Sequence, residues 1–468
     1  MKKFLIVFFL SIFLSAFFLI GSSASFSPAY PVLTDGNVST YAKPGTLTVS
    51  SEGEKGLISL YLIFDKPCGV FTVVSENGQS AEVNENDFLH LFLDLEVLFS
   101  IPQQQVTLQL GDALLAEISV FSEGDTIPDD VQRWSPPHAK ADLMLFGAHS
   151  DDEHLFFGGI VPLYAGEKGI RVQAVYFTNH WDTHVRTHEL LNGLWTAGMQ
   201  NYPVIGPFPD LYSMSLDGAR AAYTYAGYGE EDFLTFEVEM LRRFKPSVLV
   251  SHDIEGEYGH GTHRLLADTL LKALTYCGDT EQFAPSAVQY GVWEPEKVYF
   301  HLWKENPILL DLDQPLESFG GKSAFEVAKE GYACHLSQQW TWFTRWVNVD
   351  SASSIRTYSP MQYGLVKSHV GEDIAKNDFM EHIVPIGTLL SIEADNDTTA
   401  PPPSARETDP PQTTSVDPED NSASFAEELE KQNAPKQSAV PFLCCILGAE
   451  ILLLTILGIL IWKWKRHG

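Results

Sequence analysis

The sequence predicts an α/β protein: a Rossmann-like, mainly parallel sheet flanked by helices over residues 138–394, preceded by a small all-β jelly-roll domain over residues 26–135. Three observations carry that expectation. From Leu143 onward, short apolar runs alternate with stretches of helical period, and such alternation builds a parallel sheet with helices on both faces. Before Trp134-Ser135-Pro136-Pro137, the runs are short and broken by turn residues, with no sustained helical period. Polar clusters rich in His and Asp follow two of the later apolar runs at once, where open α/β sheets gather their ligands.

Each element has a local reason. Met1-Lys2-Lys3, the apolar run Phe4–Ile20 and the small residues Ser22-Ser23-Ala24 read as a secretory signal over residues 1–24. Strands are expected at Leu57–Phe64, Val70–Val74, Phe88–Leu95, Gln105–Leu110 and Leu114–Phe121, with Asp35-Gly36, Asn77-Gly78 and Gly111-Asp112 as turns. In the second region a strand at Leu143–Phe146 leads to a helix near Glu153–Gly166, and strand Val172–Phe177 to a helix near Thr187–Ala197. Strand Val204–Pro207 and an amphipathic helix near Asp232–Phe244 follow, and Pro246 stops that helix before strand Val248–Val250. Helix Thr262–Leu274 and strand Lys297–Leu302 complete the alternation.

Residues 395–439 change composition to Pro, Thr, Ser and acids, which cannot offset the entropy of ordering, so an extended stalk is expected. Val440–Trp462 is long enough for a membrane span, and the basic tail 463–468 would stay on the cytoplasmic side. The expectation is a single-pass type I protein of a bacterial cell membrane, its membrane partner reached through one C-terminal helix and its catalytic domain outside. Net charge is −31, and the stalk, with ten acids against three bases, holds only a small part of it. An acidic folded region argues against nucleic acid or an anionic polymer as a partner. Cys68, Cys277 and Cys334 are too few for a disulfide framework; at most Cys277 and Cys334 pair.

The chemistry concentrates in two stretches. In Leu143–Gly159 an apolar run ends in Gly147-Ala148, and His149, Asp151, Asp152 and Glu153 follow. An imidazole nitrogen and a carboxylate suit Zn²⁺, while a second acid can face a water. About a hundred residues later Val248–Ser251 runs into residues 252–264, where His260 and His263 share one side of a first helical turn. One HxxH is weak; two strand-end clusters with complementary ligand types are much stronger. His180, His184 and His188, four apart, could line a helix face or hold a second metal, though a solvent-facing rim is the commoner use. One of Asp253, Glu255 and Glu257 could orient a histidine. Trp181, Trp340 and Trp342 could stack on sugar rings, but core packing explains a tryptophan more often.

These residues resemble the PIG-L/LmbE-like zinc de-N-acetylases over roughly residues 140–390. The first family signature, AHPDDE, meets Ala148-His149-Ser150-Asp151-Asp152-Glu153, and the second, YxHxxH, meets Tyr258-Gly259-His260-Gly261-Thr262-His263. The resemblance implies an LmbE-like fold, His149, Asp152 and His263 as ligands of Zn²⁺ (or Fe²⁺), and Asp151 as general base. It makes His260 the acid or electrostatic partner and Tyr258 a donor to the developing oxyanion. The RxxE pattern meets Arg186-Thr187-His188-Glu189, a family aspartate falls at Asp210, and HxSQ meets His335-Leu336-Ser337-Gln338, so Arg186, Asp210 and His335 are the implied substrate contacts. Ser150 stands where the family usually has proline, and Asn179-His180-Trp181 where many relatives are glycine-rich. Separately, Leu33-Thr34-Asp35-Gly36-Asn37 with Ala116–Phe121 resembles the galactose-binding-like (discoidin) jelly roll; packing support serves as well as glycan binding for that region.

The function this implies is zinc-dependent removal of the acetyl group from N-acetylglucosamine-type sugars on a cell-surface or cell-wall glycan or glycoconjugate, releasing acetate. Two other readings stand beside it: a non-catalytic surface glycan-binding protein, and a zinc amidase on a peptide or conjugate amide.

Overall fold

The computed structural model describes residues 24–25 and 30–387, apart from 52 and 86. The first part is antiparallel. Strands β1 (Ala24–Ser25), β2 (Thr46–Ser51), β4 (Phe71–Ser75), β5 (Ser80–Val83) and β7 (Gln105–Gln109) form one sheet in the order β1-β2-β7-β4-β5. Strands β3 (Leu57–Phe64), β6 (His90–Asp94) and β8 (Leu115–Ser122) form a second, with β3 central. Alternation fixes the inner face: in β2 Leu47 and Val49 are buried, and in β4 Phe71 and Val73. The expected strand Phe88–Leu95 stops early because the Asp94 carboxylate accepts the Val97 N–H at 3.0 Å and caps the short helix α1 (Leu95–Phe99).

The second part is a six-stranded mixed sheet in the order β10-β9-β11-β12-β14-β13, made of β9 (Leu143–Gly147), β10 (Val172–Tyr176), β11 (Val248–Ser251), β12 (Lys297–His301), β13 (Pro307–Leu309) and β14 (Gln362–Ser368). Strands β10, β9, β11 and β12 run parallel; β14 and β13 add antiparallel pairs at one edge. The four parallel strands are buried on both faces, as helices cover such sheets. The covering helices are α2 (Val185–Thr196), α3 (Leu216–Tyr225), α4 (Glu230–Phe244), α5 (Gly261–Tyr276), α6 (Ala284–Tyr290), α7 (Ala324–Ala333) and α8 (Phe343–Val347). Because β9 pairs with β10 on one side and β11 on the other, strand order reverses there, and sheets of this kind take their ligands beyond the carboxyl ends of the strands at such a point.

Several expectations change. Val204–Pro207 is not a strand: Pro203, Pro207 and Pro209 carry no N–H, and only isolated parallel bridges, Val175 to Val204 and Thr178 to Phe208, remain. The helix expected near Glu153–Gly166 is a series of turns followed by a π-type helix, Val161–Glu167. Cys68, Cys277 and Cys334 are free thiols, so Cys277 and Cys334 do not pair. The membrane localisation is corrected as well: no helix among the described residues is long and apolar enough to cross a membrane. The runs that suggested it, at 4–20 and 440–462, and the stalk at 395–439 lie outside the described residues.

One apolar core runs from the antiparallel strands into the mixed sheet. At the seam Phe88 stacks on Tyr202 with ring centroids 4.0 Å apart, and the Tyr202 hydroxyl accepts the Leu89 N–H at 2.8 Å. Trp134, in the segment where the fold type changes, packs edge-on against both Trp195 and Tyr202.

Candidate active site

Beyond β9 the chain turns on its own side chains. The Asp152 carboxylate accepts the N–H groups of His149 (2.7 Å) and Ala148 (3.2 Å), folding the turn back on the strand end. Asp151 sits at φ 125°, a region costing a non-glycine residue roughly 1–3 kcal/mol. The Glu153 carboxylate helps hold it there, accepting the Asp151 N–H at 3.0 Å. At β11 the Ser251 hydroxyl donates to the Phe146 carbonyl at 2.9 Å, so the two strand ends are tied side by side. His260 then caps the start of α5 with extended backbone, and His263 lies in its first turn.

Three donors converge. His149 Nδ1 is 3.1 Å from His263 Nε2 and 3.4 Å from Asp152 Oδ2, and His263 Nε2 is 3.4 Å from Asp152 Oδ1. Donors about 2.0–2.1 Å from one tetrahedral ion stand roughly 3.3–3.4 Å apart, so the spacing fits. His263 Nδ1 donates to Glu257 at 2.6 Å, which leaves a lone pair on Nε2 turned toward His149 and Asp152. Asp210 Oδ1 stands 3.4 Å from His149 Nε2, on the other side of that ring. Imidazole nitrogens and a carboxylate gathered in a buried space suit a divalent cation. His260 also comes within 4.8 Å of the His149 and His263 donor atoms, and His252 within 4.8 Å of those of Asp152 and His263; Asp152 faces His149 with Oδ2 and His263 with Oδ1.

A second layer orients these groups. Glu257, fully buried, accepts from His252 Nδ1 (2.9 Å), His263 Nδ1 (2.6 Å) and His301 Nδ1 (2.7 Å). His252 Nε2 in turn lies 3.1 Å from Asp152 Oδ2. Arg186 donates to the Ser150 carbonyl (2.7 Å), to Asp151 Oδ2 (3.4 Å) and to Asp210 Oδ2 (3.2 Å), so one guanidinium spans both acids. The Ser150 N–H donates to His180 Nε2 at 3.1 Å, and His180 Nδ1 is 3.3 Å from Asp210. A proline at position 150 could not make that bond. The two departures from the family pattern therefore meet in space.

Charge follows the same layout. Burial pushes the Asp151 carboxyl up to about 7, against the pull of Arg186 and with the help of the neighbouring Asp152 and Glu153 charges. Burial, with His263 and His149 beside it, holds the His260 imidazole down at about 2, so its ring is neutral at neutral pH. Tyr258, at a left-handed φ of 49°, places its ring 5.5 Å from that of His260.

The other expected residues divide. Arg186 and Asp210 are at the site, bound to its own acids and histidines. His335, expected to touch substrate, is fully buried, with Nε2 3.2 Å from Glu153 Oε1. His180, His184 and His188 do not share a metal: His184 pairs with Asp65 at 2.8 Å, and His188 Nδ1 meets His90 Nε2 at 2.9 Å. Tyr212 (73% exposed) and Trp342 (50%) rim the site, with ring centroids 5.4 Å from His260 and 5.9 Å from Tyr258 respectively. His252 and His301 were missed, although each stands at the carboxyl end of a parallel strand, as His149 nearly does.

Two imidazoles and a carboxylate with a spare acid at the edge are a donor set that metal-dependent hydrolases use. Residues 144–274 match the model of the PIG-L family, described as GlcNAc-PI de-N-acetylase. A deacetylase of 1D-myo-inositol 2-acetamido-2-deoxy-alpha-D-glucopyranoside from Catenulispora acidiphila is 26% identical over 212 residues, 40% of this chain and 64% of that protein. This chain thus spans less than two thirds of the relative's length. Similar solved structures include N,N'-diacetylchitobiose deacetylase from Pyrococcus horikoshii, at 14% identity and TM-score 0.36, over 54% of this chain and 90% of that one. The zinc-inhibited form of a teicoplanin deacetylase is 15% identical with TM-score 0.30, over 49% of this chain and 99% of that one. By name these relatives are deacetylases, and so hydrolases.

Proposed function

We propose that this chain is a zinc-dependent N-deacetylase acting on N-acetylglucosamine-type sugars. The observation that carries the reading is the convergence of His149 Nδ1, His263 Nε2 and the Asp152 carboxylate within 3.1–3.4 Å, with Asp151 beside them and bound to none of them. Zinc held by those three residues supplies Lewis acidity and makes water a nucleophile at neutral pH; Fe²⁺ suits the same donors.

The chain's own residues do the rest. Asp151, held by Arg186 and by its strained backbone, accepts a proton from the attacking water. The water oxygen bonds to the amide carbon, and charge develops on the carbonyl oxygen. Tyr258 Oη and the neutral His260 ring donate toward that oxygen; loss of one such donor costs roughly 10²–10³ in rate. Asp151 then passes its proton to the nitrogen as the C–N bond breaks, leaving acetate and a sugar amine. Tyr212 and Trp342, exposed at the rim, offer the faces on which a sugar ring stacks. Arg186 and Asp210 keep the machinery aligned and present their free edges to substrate hydroxyls. The antiparallel strands we read as a packing module of jelly-roll type that buttresses α2 through the His90–His188 and Asp65–His184 contacts.

The test is acetate release from N-acetylated glucosamine conjugates. Asp151→Asn is expected to keep its metal and lose about 10²-fold or more in turnover. Wild-type turnover in that variant overturns the base assignment, and release of a larger acid in place of acetate identifies an amidase.

A further inference from the structure

We propose that Glu153, His154 and His335 form a second divalent-cation site, closed to solvent and next to the first. Their ligand atoms lie within 4.8 Å of one another, and all three side chains are buried. Glu153 Oε1 is 3.4 Å from His154 Nε2 and 3.2 Å from His335 Nε2, again the edge lengths of a tetrahedral zinc-class site.

Satisfaction of buried polar atoms is the stronger argument. Glu153 Oε1 and both ring nitrogens of His154 and of His335 make no hydrogen bond. Left so, each costs roughly 1–3 kcal/mol, and native interiors pair such atoms. The only charge partners of Glu153 among the described residues are those two imidazoles; no lysine or arginine compensates it. The buried Tyr176 hydroxyl is a further oxygen beside Glu153. Two glycines keep the space open. A Cβ at Gly193 on α2 would lie 2.6 Å from His154 Nε2 and 3.0 Å from His335 Nε2, and one at Gly331 on α7 would lie 2.6 Å from His154 Nδ1.

A cation there has a structural consequence. Glu153 Oε2 holds the N–H of Asp151, so a cation on Oε1 pins the carboxylate that keeps Asp151 in its unfavourable backbone conformation. Two imidazoles and a carboxylate with no route to solvent describe a structural site of zinc type.

The full chain, loaded with Zn²⁺ and freed of excess metal, is expected to hold two zinc ions; His335→Ala is expected to hold one, and His263→Ala one. A single zinc in the wild type, unchanged in His335→Ala, overturns the proposal. Anomalous scattering at the zinc edge from wild-type crystals decides the matter even where a variant fails to fold. Peaks at both clusters support it. A peak at His149, Asp152 and His263 alone overturns it while leaving the proposed activity standing, and a peak at neither overturns both.

Discussion

Glu257 accepts from three imidazoles brought to it by two strands and a helix, and this concentrates the orientation of the site in one carboxylate. Glutamine keeps one carbonyl oxygen and adds a donor group, so it cannot accept from all three. Glu257→Gln is expected to weaken zinc binding by about 10–100-fold, the usual effect of losing an orienting partner, measured by titration against a competing chelator. At this scale the signature residues could be singled out in the chain because they form two short clusters, His149, Asp151 and Asp152 in one and His263 in the other, each just after an apolar run. Glu257 was one of three neighbouring acids with equal claims. Its contacts with His252, His263 and His301, the last 44 residues further on, separate it from Asp253 and Glu255. That His335 faces the buried Glu153 carboxylate could not be read from the chain, because a sequence pattern fixes a residue's neighbours in sequence and not those in space.

The loop after β10 and the turn after β9 act as one element. Ser150 and His180 share a hydrogen bond, so replacing either removes the same contact. Ser150→Pro and His180→Ala are each expected to be destabilising, by about 1 kcal/mol, and the double variant by clearly less than their sum. Additive losses in denaturant melts would show the two departures to be independent. At the rim, Trp342→Ala is expected to raise KM several-fold for a sugar substrate with little change in kcat, since stacking serves ground state and transition state alike. The strands expected from alternating or solid apolar runs, 204–207 apart, lie within a residue or two of their places, whereas β2, β5, β13 and β14 were passed over. Helix α3 and helix α7 were passed over, although Ser215 caps one and the Ser323 and Glu326 capping box opens the other. The run 204–207 shows the reverse error: apolar content suggested a strand where the prolines deny the hydrogen bonds.

Across the whole molecule, the antiparallel strands and the mixed sheet stand or fall together. His90 meets His188 across the seam, and Phe88 covers Tyr202, so damage on one side reaches the helix that carries Arg186. Phe88→Ala is expected to cost about 3–5 kcal/mol in unfolding experiments and to lower activity through α2, although it lies outside the site. The antiparallel part also carries a pH dependence. Burial and the neighbouring Asp35 push Glu117 up to about 7, while the Asn37 N–H opposes them. A carboxyl raised above its unfolded value lends stability that is complete below about 4.5 and is lost as pH rises through about 7. Glu117 is only about half buried, so the effect is roughly 1–2 kcal/mol after allowance for solvent screening. Thermal melts between pH 4 and 8 are expected to show this decline, and Glu117→Gln to flatten it.

The sequence by itself determined the alternation of strands and helices, the two strand-end clusters and the chemical types gathered there, since periodicity and turn chemistry act over a few residues. Tertiary structure alone decided which acid orients the histidines, on which side of Glu153 His335 lies, and that one core joins the two kinds of sheet. Those outcomes depend on contacts between residues tens to hundreds of positions apart, and the burial that makes such contacts strong exists only once the chain has folded.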